Sequence, residues 1–284
     1  MNIAAIVPVH ADPHVANDTL DSIRRHMTDK VLVLADGWAY HDIQDKIEGQ
    51  VLSGLCQGGA QGSHANRMFG LRNLYTAFPH CDWYCWIEYD ALVANDTFKN
   101  DLEYVLPDEW VVGFCGGSNV FDIPVLPGIF RSPGLKELTY FLGAVVFHRR
   151  EFLEQLYSDQ MFEWIVNSTA MFSSCHTQGT LSQLPGIKLD NEMYDLGEFV
   201  AGTLAKRYDK NVRSLSHWDQ QGWRKQVHGS DSRLYWSGNF EKYPIRWNPL
   251  LMEHENIFGV SSILHPLKAY DDPIRAAYRE HRRA

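Results

Sequence analysis

The five residues Trp83-Tyr84-Cys85-Trp86-Ile87 form an unbroken aromatic and aliphatic run, and they constrain this chain most. Their length and composition predict a buried β-strand. The run ends abruptly in two carboxylates, Glu88 and Asp90. In extended chain, residues i and i+2 point the same way, so the two acids share a face and Tyr89 points to the other. Two carboxylates at the end of a buried strand repel each other unless a cation sits between them. A hard divalent ion, Mg²⁺ or Mn²⁺, is the natural guest, because it takes a few carboxylate oxygens and completes its shell with water and phosphate. The plainer alternative is that both acids mark the strand's solvated exit.

The chain opens on a second buried run, Ile3 to His10, with Pro8 expected to stop the strand because proline cannot donate to a sheet ladder. After a polar loop, Val15, Leu20, Ile23 and Met27 make a helical stripe. Val31 to Ala35 is a further strand, closed by the turn signal Asp36-Gly37. Strand, helix and strand in that order predict a βαβ unit and an α/β fold with a mostly parallel sheet flanked by helices. Ligands of such sheets bind outside the carboxyl ends of the strands. That rule puts Pro8 to Asp12, Asp36-Gly37 and Glu88 to Asp90 on one rim.

Gln57 to Ser63 is a glycine-rich loop without the Gly-Lys-Ser/Thr close of a Walker loop. It leads into a helix over His64–Phe78 with apolar positions at Met68, Leu71, Leu74, Tyr75 and Phe78. Arg67, in its first turn, opposes the helix macrodipole, so it faces an anion or is simply solvated. Beyond the acidic stretch the sequence predicts a helix over Asp96–Leu106 capped by Asn95 or Asp96, and a strand over Trp110–Phe114. It then predicts a loop region through Gly116-Gly117 and Pro124–Gly134, and a long strand over Thr139–Phe147. A helix opens near Asp190, a good N-cap residue, and runs to Leu204. The tail from Asp272 to Ala284 carries Arg275, Arg279, Arg282 and Arg283. It reads as a solvated basic helix, with weak attraction to an anionic membrane surface as the alternative.

Charge and cysteine usage narrow the classes. A net charge of −9 disfavours nonspecific nucleic-acid binding, which needs a basic surface. No apolar run approaches the ~18 residues of a membrane helix, and no basic region precedes the first strand as in a secretory signal. The five cysteines include no Cys-x-x-Cys pair, so they are expected as reduced thiols in a cytoplasmic protein.

In order and spacing, these motifs resemble the GT-A glycosyltransferases, especially the large family-2-type group of nucleotide-sugar transferases. Pro8-Val9-His10 matches a first strand ending Pro-Val-Tyr-Asn, with Ala11 and Asp12 departing from it. Arg67 stands three residues before Gly70, as in the family's Ala-Arg-Asn-x-Gly helix, with Asn66 and Met68 in place of the alanine and asparagine. Glu88-Tyr89-Asp90 corresponds to the family's Asp-x-Asp.

The resemblance implies a single GT-A domain over 1–284. Residues 1–115 would be the nucleotide-sugar-binding half, 116–270 the acceptor-binding half and 271–284 a C-terminal basic helix or tail. It implies donor contacts from Pro8, Val9, His10, Asp36, Arg67, Glu88, Tyr89 and Lys268, and a Mn²⁺ or Mg²⁺ ion on Glu88, Asp90 and His265. Asp190 or Glu192 would be the acceptor-activating base, although Asp190-Asn191-Glu192 departs from the family's Glu-Asp and an N-cap role competes. Trp218, Trp223 and Trp236, in an aromatic-dense stretch, would stack on acceptor sugars or else form a packing layer.

The activity so implied is transfer of a sugar from a nucleotide-sugar, UDP-linked by expectation, to a hydroxyl of a glycan, lipid-linked or small-molecule acceptor. The enzyme would be cytoplasmic or peripheral at the membrane. Two rivals stand beside it. A nucleotidyltransferase is disfavoured because His10-Ala11-Asp12 lacks the basic, glycine-rich loop such enzymes carry after the first strand. A non-catalytic sugar- or nucleotide-binding protein on the same fold predicts binding without a metal requirement.

Overall fold

The computed structural model describes residues 1–35, 40–55, 63–120, 137–166, 196–214, 245–247, 258 and 262–283. The N-terminal segment forms β1 (Ile3–Val9), α1 (Pro13–His26) and β2 (Val31–Ala35), the strand–helix–strand unit that the hydrophobic pattern predicts. Asp12 caps α1 by accepting from the His14 backbone N–H at 2.8 Å. Pro13 opens the helix, where a missing N–H costs nothing. Next come α2 (Tyr40–Ile43), β3 (Gln50–Ser53), α3 (Ser63–Ala77), β4 (Trp83–Ile87), β5 (Leu92–Val93) and α4 (Phe98–Glu103). The second half contributes β6 (Glu109–Val120), β7 (Glu137–Arg149), α5 (Arg150–Ser158) and a helical segment α6 over 161–166. It continues with α7 (Leu196–Arg207), β8 (Asn211–Ser214), β9 (Ile245–Trp247), β10 (Ile263–His265) and α8 (Pro273–Arg283).

Seven strands build the central sheet in the order β3-β2-β1-β4-β7-β6-β8. Its pairings are parallel except the two that β7 makes, with β4 and with β6. The protein is thus an α/β fold with a mostly parallel central sheet flanked by helices. Both faces are covered, which is why the strands read as continuous apolar runs rather than alternating ones. Ala4, Ile6, Leu32, Leu34, Tyr84 and Trp86 pack on one face with Met68, Leu71 and Leu74 of α3 and with residues of α5 and α7. Their neighbours Ile3, Ala5, Val7, Val33, Trp83, Cys85 and Ile87 pack on the other with Val15, Leu20 and Ile23 of α1 and Phe98 of α4. Each large apolar side chain so buried contributes about 1.5–3 kcal/mol. Cys81 and Cys85 are buried free thiols.

A small second sheet, β5-β10-β9, stands beside the first. Strand β10 runs antiparallel to β5 and parallel to β9. Leu92, Ala94, Leu264 and Leu267 from this region pack beneath Ile274 and Tyr278 of α8.

The structure departs from the sequence reading in three places along this sheet and its helices. Pro8 does not stop β1, which continues to Val9 opposite Ala35. Beyond Ile6 the strand no longer pairs with β4, so a residue lacking an N–H is tolerated there. The helix expected over Asp96–Leu106 is shortened to α4. Asn95 Oδ1 accepts from the Thr97 backbone and hydroxyl at 3.0 and 2.7 Å, forming a local turn before the helix, and Pro107 disfavours helical backbone at Leu106. Gly116 and Gly117 lie in β6 rather than in a loop, because the antiparallel ladder with β7 carries on to Val120 opposite Glu137. The expected loop Pro124–Gly134 falls outside the described residues.

The basic tail is a helix, but it is not simply solvated. Arg275 is 0% exposed and bonds Asp18 of α1 at 3.0 Å. Arg279 reaches the same carboxylate at 3.2 Å, and Arg282 pairs with Asp21. The acidic positions Asp18 and Asp21 of α1 thus pair with three of the tail's arginines. Among the described residues no helix is long and apolar enough to cross a membrane.

Candidate metal centre

The site is assembled where β4 ends. The strand stops at Ile87, and Glu88 to Ala91 form a tight turn in which the Ala91 N–H donates to the Glu88 carbonyl at 3.0 Å. Glu88 and Asp90 therefore converge through a turn, not through the alternation of an extended strand. Tyr89 swings to the end of β1, where its ring meets that of His10 edge-on at 4.8 Å.

The third member arrives from the far end of the chain. Leu92 and Val93 pair antiparallel with Leu264 and Ile263. The Ala94 N–H donates to Ser262 at 2.7 Å, and the Leu267 N–H to Asp90 at 2.8 Å. This short ladder sets His265 against the acidic turn, with Nε2 3.1 Å from Glu88 Oε2 and 2.9 Å from Asp90 Oδ1. Asp90 and His265 are each 4% exposed. Glu88 is half-buried.

Burial opposes charge on both buried groups, and their mutual attraction wins. For His265, burial pulls the imidazole down, but hydrogen bonds to Asp90 and Glu88 and the charges of both carboxylates lift it to about 9. For Asp90, burial raises the carboxyl, and the His265 bond and charge, helped by Lys268, bring it below its usual value. In this state an imidazolium supplies the positive charge that the two carboxylates require.

The donor set fits a divalent cation. One ligand atom from each of Glu88, Asp90 and His265 lies within 4.8 Å of the others. A single Nε2–H cannot satisfy two carboxylates well. That one hydrogen is shared between Glu88 Oε2 and the buried Asp90 Oδ1, which leaves acceptor capacity on both carboxylates for a cation. Two carboxylates and an imidazole are the ligands a Mg²⁺- or Mn²⁺-type ion would find there.

The other residues singled out from the sequence distribute unevenly. His10 is exposed at the rim and Pro8 is partly buried. The Val9 side chain lies in the core. Lys268 is exposed three residues beyond His265. Arg67 is 4% exposed and lies with its guanidinium 4.9 Å from the Trp86 ring centre, on the α3 side of the sheet. Asp36, Asp190, Glu192, Trp218, Trp223 and Trp236 lie outside the described residues.

Sequence reasoning missed Thr19 and Ser22. The Thr19 hydroxyl sits 2.5 Å from both the Tyr89 and Ala91 carbonyls, bracketing Asp90. Ser22 Oγ accepts from the Val93 N–H at 3.0 Å. The signal for them was two hydroxyls three residues apart beside the apolar stripe of α1, a buried position that needs polar partners.

No family model matches this sequence, and no curated protein does. Solved structures are similar to it in shape. The galactosyltransferase LgtC, in complex with donor and acceptor sugar analogues, shares 11% identity at a TM-score of 0.44, over 98% of this chain and 94% of that one. A glycosyltransferase involved in glycosylation of the major capsid of PBCV-1 shares 9% identity at 0.42, over 99% and 98%. The 4-diphosphocytidyl-2C-methyl-D-erythritol synthase of Anaerococcus prevotii shares 10% identity at 0.36, over 75% and 87%. Likeness at this level assigns no residue a role.

Proposed function

We propose that this chain is a metal-dependent glycosyltransferase of the GT-A type, moving a sugar from a nucleotide-sugar, UDP-linked in our reading, to a hydroxyl of a glycan, lipid-linked or small-molecule acceptor. One observation carries the proposal. Two carboxylates and an imidazole 177 residues away converge at the carboxyl end of a parallel sheet, where such folds bind their ligands. In this reading Asp90, Glu88 and His265 hold the ion, Mn²⁺ or Mg²⁺. When bound there, it would neutralise charge growing on a departing nucleoside diphosphate.

The remaining roles fall to the chain itself. Pro8 to His10, Tyr89 and Asp36 would line the base and ribose, and the exposed Lys268 ammonium would meet a phosphate. Asp190 or Glu192 would accept the acceptor's proton, and Trp218, Trp223 and Trp236 would stack on its rings. Arg67, whose guanidinium stacks on the Trp86 ring, would approach the diphosphate. Residues 1–115 would make the donor half and 116–270 the acceptor half.

The test is thermal stability against UDP, GDP, CDP and CMP, each with Mn²⁺ and with EDTA. A ligand at about 100 times its dissociation constant adds ~2.7 kcal/mol. Stabilisation by one nucleoside diphosphate only in the presence of metal is the expected result. Indifference to every nucleotide, or an equal shift in EDTA, would end this reading.

A further inference from the structure

We infer that Arg275, on the C-terminal helix α8, is a positioning residue that holds the Glu88–Asp90–His265 cluster in register. The inference rests on reading that cluster as a metal site. It goes beyond that reading by giving α8 a part in building it.

The guanidinium is wholly buried. Its Nη2 donates at 3.0 Å to the carbonyl of Ala91, the residue after Asp90. Its Nε donates at 2.9 Å to the carbonyl of Leu267, two residues past His265. Nη2 also donates at 3.0 Å to the Thr19 hydroxyl, the group that brackets Asp90 through the Tyr89 and Ala91 carbonyls. On its remaining edge Nη1 meets Asp18 at 3.0 Å. One planar cation therefore ties the acidic turn, the histidine loop and α1 together from behind the site.

The cluster needs such a tie. Glu88 and Asp90 repel each other, and β5 meets β10 over only the pairs Leu92–Leu264 and Val93–Ile263. A ladder that short holds register weakly. Groups that orient ligands from outside a metal's own shell commonly change its affinity 10- to 100-fold. The planar fork matters as well as the charge, because a lysine in its place could face Asp18 but could not span both carbonyls.

The experiment uses the full chain and three variants, Arg275→Met, Arg275→Lys and Tyr278→Leu. Tyr278 lies on the same helix, packs on Phe258 and against Leu264 and Leu267, and bonds His26; among the described residues its hydrogen bond goes to α1 and not to Glu88, Asp90 or His265. Two quantities are read: the Mn²⁺ dissociation constant, from electron paramagnetic resonance of the free ion, and amide hydrogen exchange at Leu267 without metal. Both Arg275 variants are expected to weaken Mn²⁺ binding about 10- to 100-fold and to speed exchange at Leu267 beyond any change in the central sheet. Tyr278→Leu is expected to keep Mn²⁺ affinity within about twofold, and any faster exchange it shows to be spread over α8 rather than centred on Leu267, in contrast to a specific tie.

The inference is overturned if Arg275→Met matches the parent protein in both quantities. Equal losses in Tyr278→Leu, or full retention in Arg275→Lys, overturn it too. If Arg275→Met does not fold, Arg275→Lys decides alone. If the parent protein binds no Mn²⁺, the metal reading falls, and Leu267 exchange by itself upholds or overturns the tie.

Discussion

His148 makes this fold acid-sensitive in a way that can be isolated. It lies at the end of β7, wholly buried, with its ring stacked at 6.0 Å on Phe152. Its Nδ1 is 2.9 Å from the Tyr84 carbonyl, a bond only an N–H at that position can make, and its Nε2 has no hydrogen-bond partner among the described residues. Burial pushes the imidazole down to about 3, the Tyr84 bond pulling the other way and the Arg67 charge adding to the depression. In the unfolded chain a histidine titrates near ~6.5. Between those two values the unfolded state binds more protons than the folded one, so stability falls as pH falls through that window. It is flat above the window, where both states are neutral.

Integrated from about pH 7 to about pH 5, this one group removes about 2 kcal/mol. The perturbation is His148→Gln, which retains an N–H for Tyr84 but takes up no proton. The assay is urea unfolding of parent and variant at both pH values. Carboxylates contribute equally to the two proteins, so the difference between their pH-induced losses isolates His148. The parent should lose about 2 kcal/mol more than the variant over that interval. A difference below about 0.5 kcal/mol would mean that the imidazole is not held neutral in the core, and would refute the argument.

Two further expectations are simpler to check. Asp90→Ala should abolish metal-dependent sugar transfer while the protein still unfolds cooperatively in EDTA, and near-normal transfer by that variant would remove Asp90 from the metal set. Gly70→Ala places a Cβ 2.8 Å from Ile6 Cδ1 and 3.3 Å from both Leu34 Cδ2 and Trp86 Cζ3. The ~1 kcal/mol gained in helix propensity should be outweighed by ~1–3 kcal/mol of overpacking, and a variant more stable than the parent in urea would show that the α3–sheet contact has room.

Much of the architecture was legible because burial on both faces leaves a strong mark. Trp83 to Ile87 and Val31 to Ala35 carry no polar residue, and each is a strand of the sheet at those bounds. The capping of α1 by Asp12 and Pro13 is equally local. β3 and β8 were not seen, since Gln50–Ser53 and Asn211–Ser214 are short edge segments of mixed polarity whose strand character comes from their neighbours. The Asn95 turn that shortens α4 was missed because Asn95 was weighed as a cap and not as a turn former.

The sequence by itself determined that a parallel α/β sheet would form and that Glu88 and Asp90 would stand at its carboxyl edge. Hydrophobic periodicity and strand polarity are local properties and can be read in order along the chain. Only the tertiary structure decided how the acids meet His265. That depends on a turn that replaces the expected extended geometry, on a two-residue ladder closing a separation of 177 residues, and on the burial of Arg275 behind both loops. A solvated arginine and a buried one look identical in sequence. What separates them is whether Asp18, Thr19 and the carbonyls of Ala91 and Leu267 are in place to replace the water that the guanidinium gives up.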